Sequence, residues 1–309
     1  MSSSYTAPLL AWYTRNARDL PWRRATGPAA AWSVLVSEIM LQQTPVARVL
    51  PVHASWLDRW PTPAALAAAA PGEAIREWGR LGYPRRALRL HAAAGAIVER
   101  HDGQVPASVA SLLELPGVGK YTAAAVAAFA FGQREAVLDT NVRRVLARLD
   151  GGVAGPGSAS GPSVAEVRLA SSLLPADPAE AARWSVAVME LGALVCTAAA
   201  APACEACPLA GQCAWLAAGR PAGAARRRVQ GYEGTDRQCR GRVLAVLRSS
   251  PAPVERAGFD AVWTSPAQLE RALDGLISDG LVDPLPDGRY ALPGLVGYER
   301  LCQARSLEF

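Results

Sequence analysis

The chain has 309 residues, half of them hydrophobic, and a net charge of +5 with a pI near 9.0, a balance that permits an acidic partner such as nucleic acid without requiring one. Its longest apolar run, Ala123 to Phe131, is far short of the roughly 20 residues of a membrane span, which excludes a spanning helix. The start MSSSYTAPLLAWYTRN has neither a basic region nor a cleavage pattern, so a secretory leader is not expected and a cytoplasmic location is.

Ala, Gly, Pro and Arg dominate and aromatics are 6%, which favours helices joined by Pro/Gly loops. Residues 1–215 read as a run of helices punctuated by WPTP (60–63), LPGVG (115–119) and a Gly/Ser/Pro loop at 151–162. In SEIMLQQT (37–44), Glu38 falls on one helical stripe with Val34 and Leu41. A carboxylate on an apolar stripe is either bonded to a partner or held with a raised pKa, and the second state makes an acid catalyst.

In LELPGVGKYTAAAVAAFAFG (113–132), a Gly-x-Gly turn after Pro116 leads into a new helix near Lys120. Gly117 and Gly119 are expected to supply positive φ and close approach. The backbone N–H groups at such a helix start form a phosphate site that needs no side chains. In VLDTNVRRVLARL (137–149), Val142, Val145, Leu146 and Leu149 form a stripe, and Asp139 sits at the N-cap position just ahead of it.

Cys196, Cys204, Cys207 and Cys213 are clustered and include one CxxC. In a chain without expected disulfides they read as thiolate ligands for zinc or an iron–sulfur cluster, and the compact, single-ended spacing fits one cubane better than a zinc ribbon. Cys239 and Cys302 have no such company and read as ordinary thiols.

Beyond Cys213 the composition shifts. Residues 220–231 read as a basic linker, and seven arginines face two acids between Arg220 and Arg242. A small unit over 232–309 shows helical patterns at Arg237–Leu247, Val254–Val262 and Gln268–Ile277, then LVDPLPDGRYALP with a hairpin turn at DG. Three helices and a hairpin resemble a winged helix.

Seven collinear stretches over residues 8–215 carry a resemblance: LLAWYTRNARDLPWR, SEIMLQQT, WGRLGYPRRALRLHAAA, LPGVGKYTAAAV, VLDTNVRRVLARL, MELGALVC and the cysteine group. Together they resemble the helix–hairpin–helix DNA glycosylases that carry an iron–sulfur cluster, most closely the adenine-specific MutY family. The resemblance implies a mainly α fold: a helix–hairpin–helix glycosylase body over 1–219 with an iron–sulfur loop at 196–213, followed by the linker and the winged-helix-like unit.

The resemblance also implies roles. Glu38 would protonate the adenine leaving group, while Asp139 would stabilise the sugar cation and support attack by water, by the logic of two-carboxylate glycoside hydrolysis. It places Asn141 beside Asp139 and Glu190 near the reaction centre, where an ordinary helix-surface or cap role for Glu190 stands as the alternative. Bifunctional members of the superfamily carry a Schiff-base lysine at the position of Tyr121. Here the one lysine of the chain is Lys120, one position earlier, so a monofunctional enzyme that leaves an abasic site is expected.

Gln43 and Tyr83 match the family's wedge residues, which fill the stack vacated by a flipped base. Gln42, Thr44 and Leu81 flank them, and Gly117, Gly119 and Lys120 belong to the DNA-holding turn. The four clustered cysteines would hold one [4Fe-4S] cluster, and the expected partner of the monomer is double-stranded DNA with a mismatched or oxidised base pair.

Three departures bear on these expectations. Seven residues separate Cys196 from Cys204, one more than in the family pattern, and Tyr83 is followed by Pro84. No histidine lies beyond residue 215, whereas many relatives read 8-oxoguanine with a histidine of a larger carboxy-terminal domain. The competing expectations are a thymine or uracil mismatch glycosylase, disfavoured by Glu38; a lyase-competent endonuclease, disfavoured by Tyr121; and a non-catalytic iron–sulfur regulator, disfavoured by two carboxylates facing phosphate.

Overall fold

A computed structural model describes residues 4–24, 27–157, 161–199, 201–223 and 231–295. In chain order its helices are α1 (Thr6–Asn16), α2 (Pro28–Leu41), α3 (Val46–Arg59), α4 (Pro63–Ala67), α5 (Pro71–Trp78), α6 (Arg85–Arg100), α7 (Val109–Leu113), α8 (Lys120–Phe131), α9 (Thr140–Leu149), α10 (Val164–Leu173), α11 (Pro178–Leu194) and α12 (Ala214–Ala217). The carboxy-terminal part adds α13 (Asp236–Ser249), α14 (Ala257–Asp260), α15 (Pro266–Ser278) and a two-stranded antiparallel hairpin of β1 (Asp283–Pro284) and β2 (Tyr290–Ala291). Among the described residues no helix is long and apolar enough to cross a membrane. Arg226 to Arg228 of the basic linker, and Cys302, lie outside the described residues.

The chain divides into two compact units. The first comprises 1–38, 107–114 and 118–227; the second comprises 39–106, 115–117 and 228–309. In the first unit, the apolar stripe of α9 packs with α1 and α11 around Leu9, Trp12, Val145, Leu146, Trp184 and Leu191. Helix termini are set by local chemistry: Asp177 and Ser163 cap α11 and α10, and Ser163 with Glu166 forms a reciprocal capping box.

In the second unit, α3, α5 and α6 enclose Trp56 and Trp78, whose rings meet edge to face with centroids 5.7 Å apart. The three helices and the hairpin expected in the carboxy-terminal part are present over 236–291, with one change. Val254 does not start a helix: its N–H and C=O pair with Tyr290 at 2.8 and 2.9 Å, a bridge onto the hairpin. The β-branched residue between Pro253 and Glu255 thus extends the wing, and α14 is confined to Ala257–Asp260.

Candidate active site

Glu38 lies in α2, whose residues 31–40 are all buried. The expected stripe is therefore part of a helix enclosed on every side over 31–40, with Ala29 exposed near its start and Leu41 partly exposed at its end. Glu38 is 5% exposed, and burial pushes its carboxyl up to about 7. Nearby Asp139 adds to the rise; the Tyr121 hydroxyl, donating to Oε2 at 2.9 Å, and Arg23 oppose it. Burial and the two carboxylates also raise the phenol of Tyr121 well above its ordinary value.

Asp139 is the N-cap of α9, as its position implies. Its Oδ1 accepts from the Val142 N–H at 2.6 Å, and its Oδ2 accepts from Asn141 Nδ2 at 2.9 Å. Burial raises its pKa, while these bonds and Arg144 pull it back by favouring the charged form. Arg144 extends the network. It donates to Asn141 Oδ1 at 2.8 Å, to the Gly192 carbonyl at 2.7 Å and to the Cys196 carbonyl at 2.8 Å. Gly192 makes this possible, because a Cβ there would stand 2.8 Å from the Asn141 Cβ.

Glu190, on α11, is fully buried, which rules out the helix-surface alternative. Its carboxylate accepts from the Arg18 backbone N–H, from Arg18 Nε and Nη2, and from Arg23 Nη2, each at 2.8 Å. Although burial alone would raise it, the two guanidiniums hold its pKa down at about 2. Arg23 is thus shared electrostatically between Glu190 and Glu38. One buried acid is poised to be protonated, and another is fixed as an anion.

The hairpin turn follows the expectation in part. Gly117 has φ +79°, and a Cβ there would stand 2.7 Å from the Arg89 Cβ. Gly119 does not have positive φ: at φ −100°, ψ 179° it is extended and acts as the N-cap of α8. Lacking a side chain, Gly119 caps none of the first N–H groups of α8, which begins at exposed Lys120.

The wedge candidates show strain. Gln43 and Tyr83 have φ of +55° and +48°, two of four non-glycine residues with positive φ among those described. Both are exposed, Tyr83 by 55%, whereas Thr44 and Leu81 are buried and belong to the support beneath. Arg86, a residue that sequence reasoning did not single out, ties the two segments together. Its guanidinium donates to the carbonyls of Ile39, Met40, Gln42 and Gly82 and to Thr44 Oγ1, and lies over the rings of Trp78 and Tyr83. Burial lowers its pKa to about 10.

The four clustered cysteines line one cavity, with Arg148, Val195, Ala210, Trp215 and Leu216 completing its wall. Among the described residues no three His, Cys, Asp or Glu side chains are grouped as a single-ion site. Burial raises the Cys204 thiol and takes Cys207 to about 11. Arg148 donates to Cys196 Sγ at 3.3 Å and stacks on Trp215. Four sulfur donors, apolar walls and one positive charge suit an anionic multi-iron group.

Residues 36–157 match the HhH-GPD superfamily of base excision DNA repair proteins. The adenine DNA glycosylase of Mycolicibacterium smegmatis is 54% identical over 93% of this chain and 95% of its own length. The chain belongs to the adenine DNA glycosylase family. Members are hydrolases that cleave N-glycosidic bonds in DNA. The adenine DNA glycosylase of Homo sapiens is 42% identical over 68% of this chain and 39% of its own greater length. A solved structure of a thermostable thymine-DNA glycosylase matches with a TM-score of 0.60 at 27% identity, over 69% of this chain and 95% of that one.

Proposed function

We propose that this member of the adenine DNA glycosylase family is a monofunctional enzyme. It removes adenine mispaired with 8-oxoguanine or guanine by hydrolysing the N-glycosidic bond of a flipped-out nucleotide. The observation that carries the reading is the pair of buried carboxyls with opposed environments: Glu38, lifted to about 7 by burial, and Asp139, held by the Val142 N–H and Asn141.

In this mechanism protonated Glu38 gives its proton to the departing base, and the Asp139 carboxylate opposes the positive charge that grows on the sugar and guides the attacking water. Tyr121 holds Glu38 by its hydroxyl, and with no amine at that position the reaction ends at an abasic site. Asn141 orients Asp139. Glu190, locked by Arg18 and Arg23, keeps Arg23 in place beside the acid.

Gln43 and Tyr83 enter the stack as the adenine leaves it, on a support that includes Gln42, Thr44 and Leu81. Gly117, Gly119 and Lys120 hold the DNA backbone at the start of α8. Cys196, Cys204, Cys207 and Cys213 would hold one [4Fe-4S] cluster, whose contribution when bound is to tie the loop together. The domain reading that accompanies this is a glycosylase body over 1–219, a linker and a carboxy-terminal unit over 232–309, in a monomer working in the cytoplasm on mismatched or oxidised duplex DNA.

Single-turnover excision tests the proposal on duplexes with A opposite 8-oxoguanine, A opposite G, T opposite G and U opposite G, scored with and without alkali. Adenine release that needs alkali for strand cleavage is expected. Release of T or U with A untouched would move the substrate to the pyrimidine class, and an adduct trapped by borohydride would reveal a lyase.

A further inference from the structure

The turn that carries Tyr83 holds three residues with positive φ: Gly79 at +54°, Gly82 at +82° and Tyr83 itself at +48°. Such a segment keeps its shape only if its surroundings over-determine it. Four successive carbonyls of the turn each accept from a side chain: Gly79 from Arg248 Nη1 at 2.6 Å, Arg80 from Arg48, Leu81 from Thr44 Oγ1 at 3.3 Å, and Gly82 from Trp78 Nε1 at 2.9 Å and Arg86 Nη2 at 3.1 Å. Arg248 alone among these donors comes from the carboxy-terminal part, at the end of α13.

Other contacts join the same part to the flanks of the turn. Asp279, just after α15, pairs with Arg85 at 3.2 Å, two residues past Tyr83, and also with Arg240 of α13. Along α5, Arg76 Nη2 donates to the Ser250 carbonyl at 3.1 Å and the Gly72 N–H donates to the Pro293 carbonyl at 2.7 Å. A Cβ on Gly72 would lie 2.8 Å from that carbonyl oxygen, so the two segments touch backbone to backbone.

The face that a winged helix normally offers to duplex is ill suited to it here. The exposed residues of α15 include Glu270, Arg271 and Asp274. Glu270 is paired with Arg256, and Arg271 with Asp236. Two acids and one engaged arginine do not attract phosphate.

We propose that the carboxy-terminal unit is a positioning clamp for the wedge, with Arg248 and Asp279 holding residues 79–86 in the strained conformation that presents Tyr83 to the base stack. This rests on the reading of Tyr83 as a wedge residue. Arg248 and Asp279 are positioning residues, since neither would touch the reacting nucleotide.

The test uses the full-length protein and its Arg248→Ala, Arg248→Lys and Asp279→Asn variants, with Arg271→Ala as a control on the α15 face. Hydrogen exchange of amides 79–86 in the free protein should accelerate about tenfold in Arg248→Ala and Asp279→Asn. It should be largely restored in Arg248→Lys and unchanged in Arg271→Ala. With 2-aminopurine in place of the target adenine, the flipping signal should fall in the first two variants, while the slope of log affinity against log salt stays that of wild type. Unchanged exchange in Arg248→Ala overturns the clamp, as does a flatter salt slope in Arg271→Ala alongside intact flipping in Arg248→Ala. Wild-type protein that releases no adenine would defeat the adenine reading, while the exchange rates would still judge the clamp.

Discussion

Tyr121 and Glu38 stand 83 positions apart in the chain, yet the phenol donates to the buried carboxylate at 2.9 Å. That bond favours the ionised acid and opposes burial, which favours the protonated one, and burial wins: the carboxyl stays near 7. The balance leaves an acid that is protonated below neutrality and is not locked in that state.

Adenine excision should therefore decline as pH rises through about 7, the range in which Glu38 loses its proton. Glu38→Gln should lower the single-turnover rate by about 10²-fold or more. The same variant should not be less stable above pH 7. A folded-state pKa raised from 4.5 means that wild type loses stability as pH climbs from 4.5 to 7, by at most about 3 kcal/mol, and glutamine removes that loss. Urea titrations at pH 5 and pH 8 measure it.

Tyr121→Phe removes the one hydrogen bond to Glu38 that lowers its pKa. The alkaline limb of the excision profile should move to higher pH, and the folded state should persist. A limb that stays in place or moves down would show that Tyr121 does not act on Glu38.

Asp139→Asn separates capping from chemistry. Asparagine caps helices about as well as aspartate, so stability should change by less than about 1 kcal/mol. Excision should fall by about 10²-fold or more, because the charge opposing the sugar cation is gone. Thermal melts and single-turnover rates on one preparation give both numbers.

Glu190→Gln should destabilise the protein by roughly 2 kcal/mol, a figure reduced for solvent screening because Arg18 is 35% exposed in its side chain. Its folded-state pKa near 2 means that the stabilisation is present above about 4.5 and is lost as pH falls toward 2. The variant should lose that acid-side slope, which equilibrium unfolding between pH 3 and 6 reads directly.

Gln43→Gly should relieve strain at φ +55° and raise stability by up to about 1 kcal/mol, while slowing excision from paired duplex. Adenine placed in an unpaired bulge should be released at close to the wild-type rate, since no partner needs to be replaced in the stack.

Features that depend on neighbours in the chain were legible before folding was considered. Asp139 as the cap of α9 is an i-to-i+3 hydrogen bond, the positive φ of Gly117 follows from a glycine in a tight turn, and the cysteine spacing already grouped the four thiols that line one cavity. The tertiary structure decided what depends on distant groups. Glu190 meets Arg18 across 172 positions, and Arg86 meets the end of α2 across more than 40; neither separation leaves a periodic trace. Gly119 proved extended because the start of α8, not the Gly-x-Gly pattern, sets its backbone. The acid strength of Glu38 was likewise settled only by folding. Burial raises it and a hydroxyl opposes that rise, and both reach it from parts of the chain that meet only in the packed molecule.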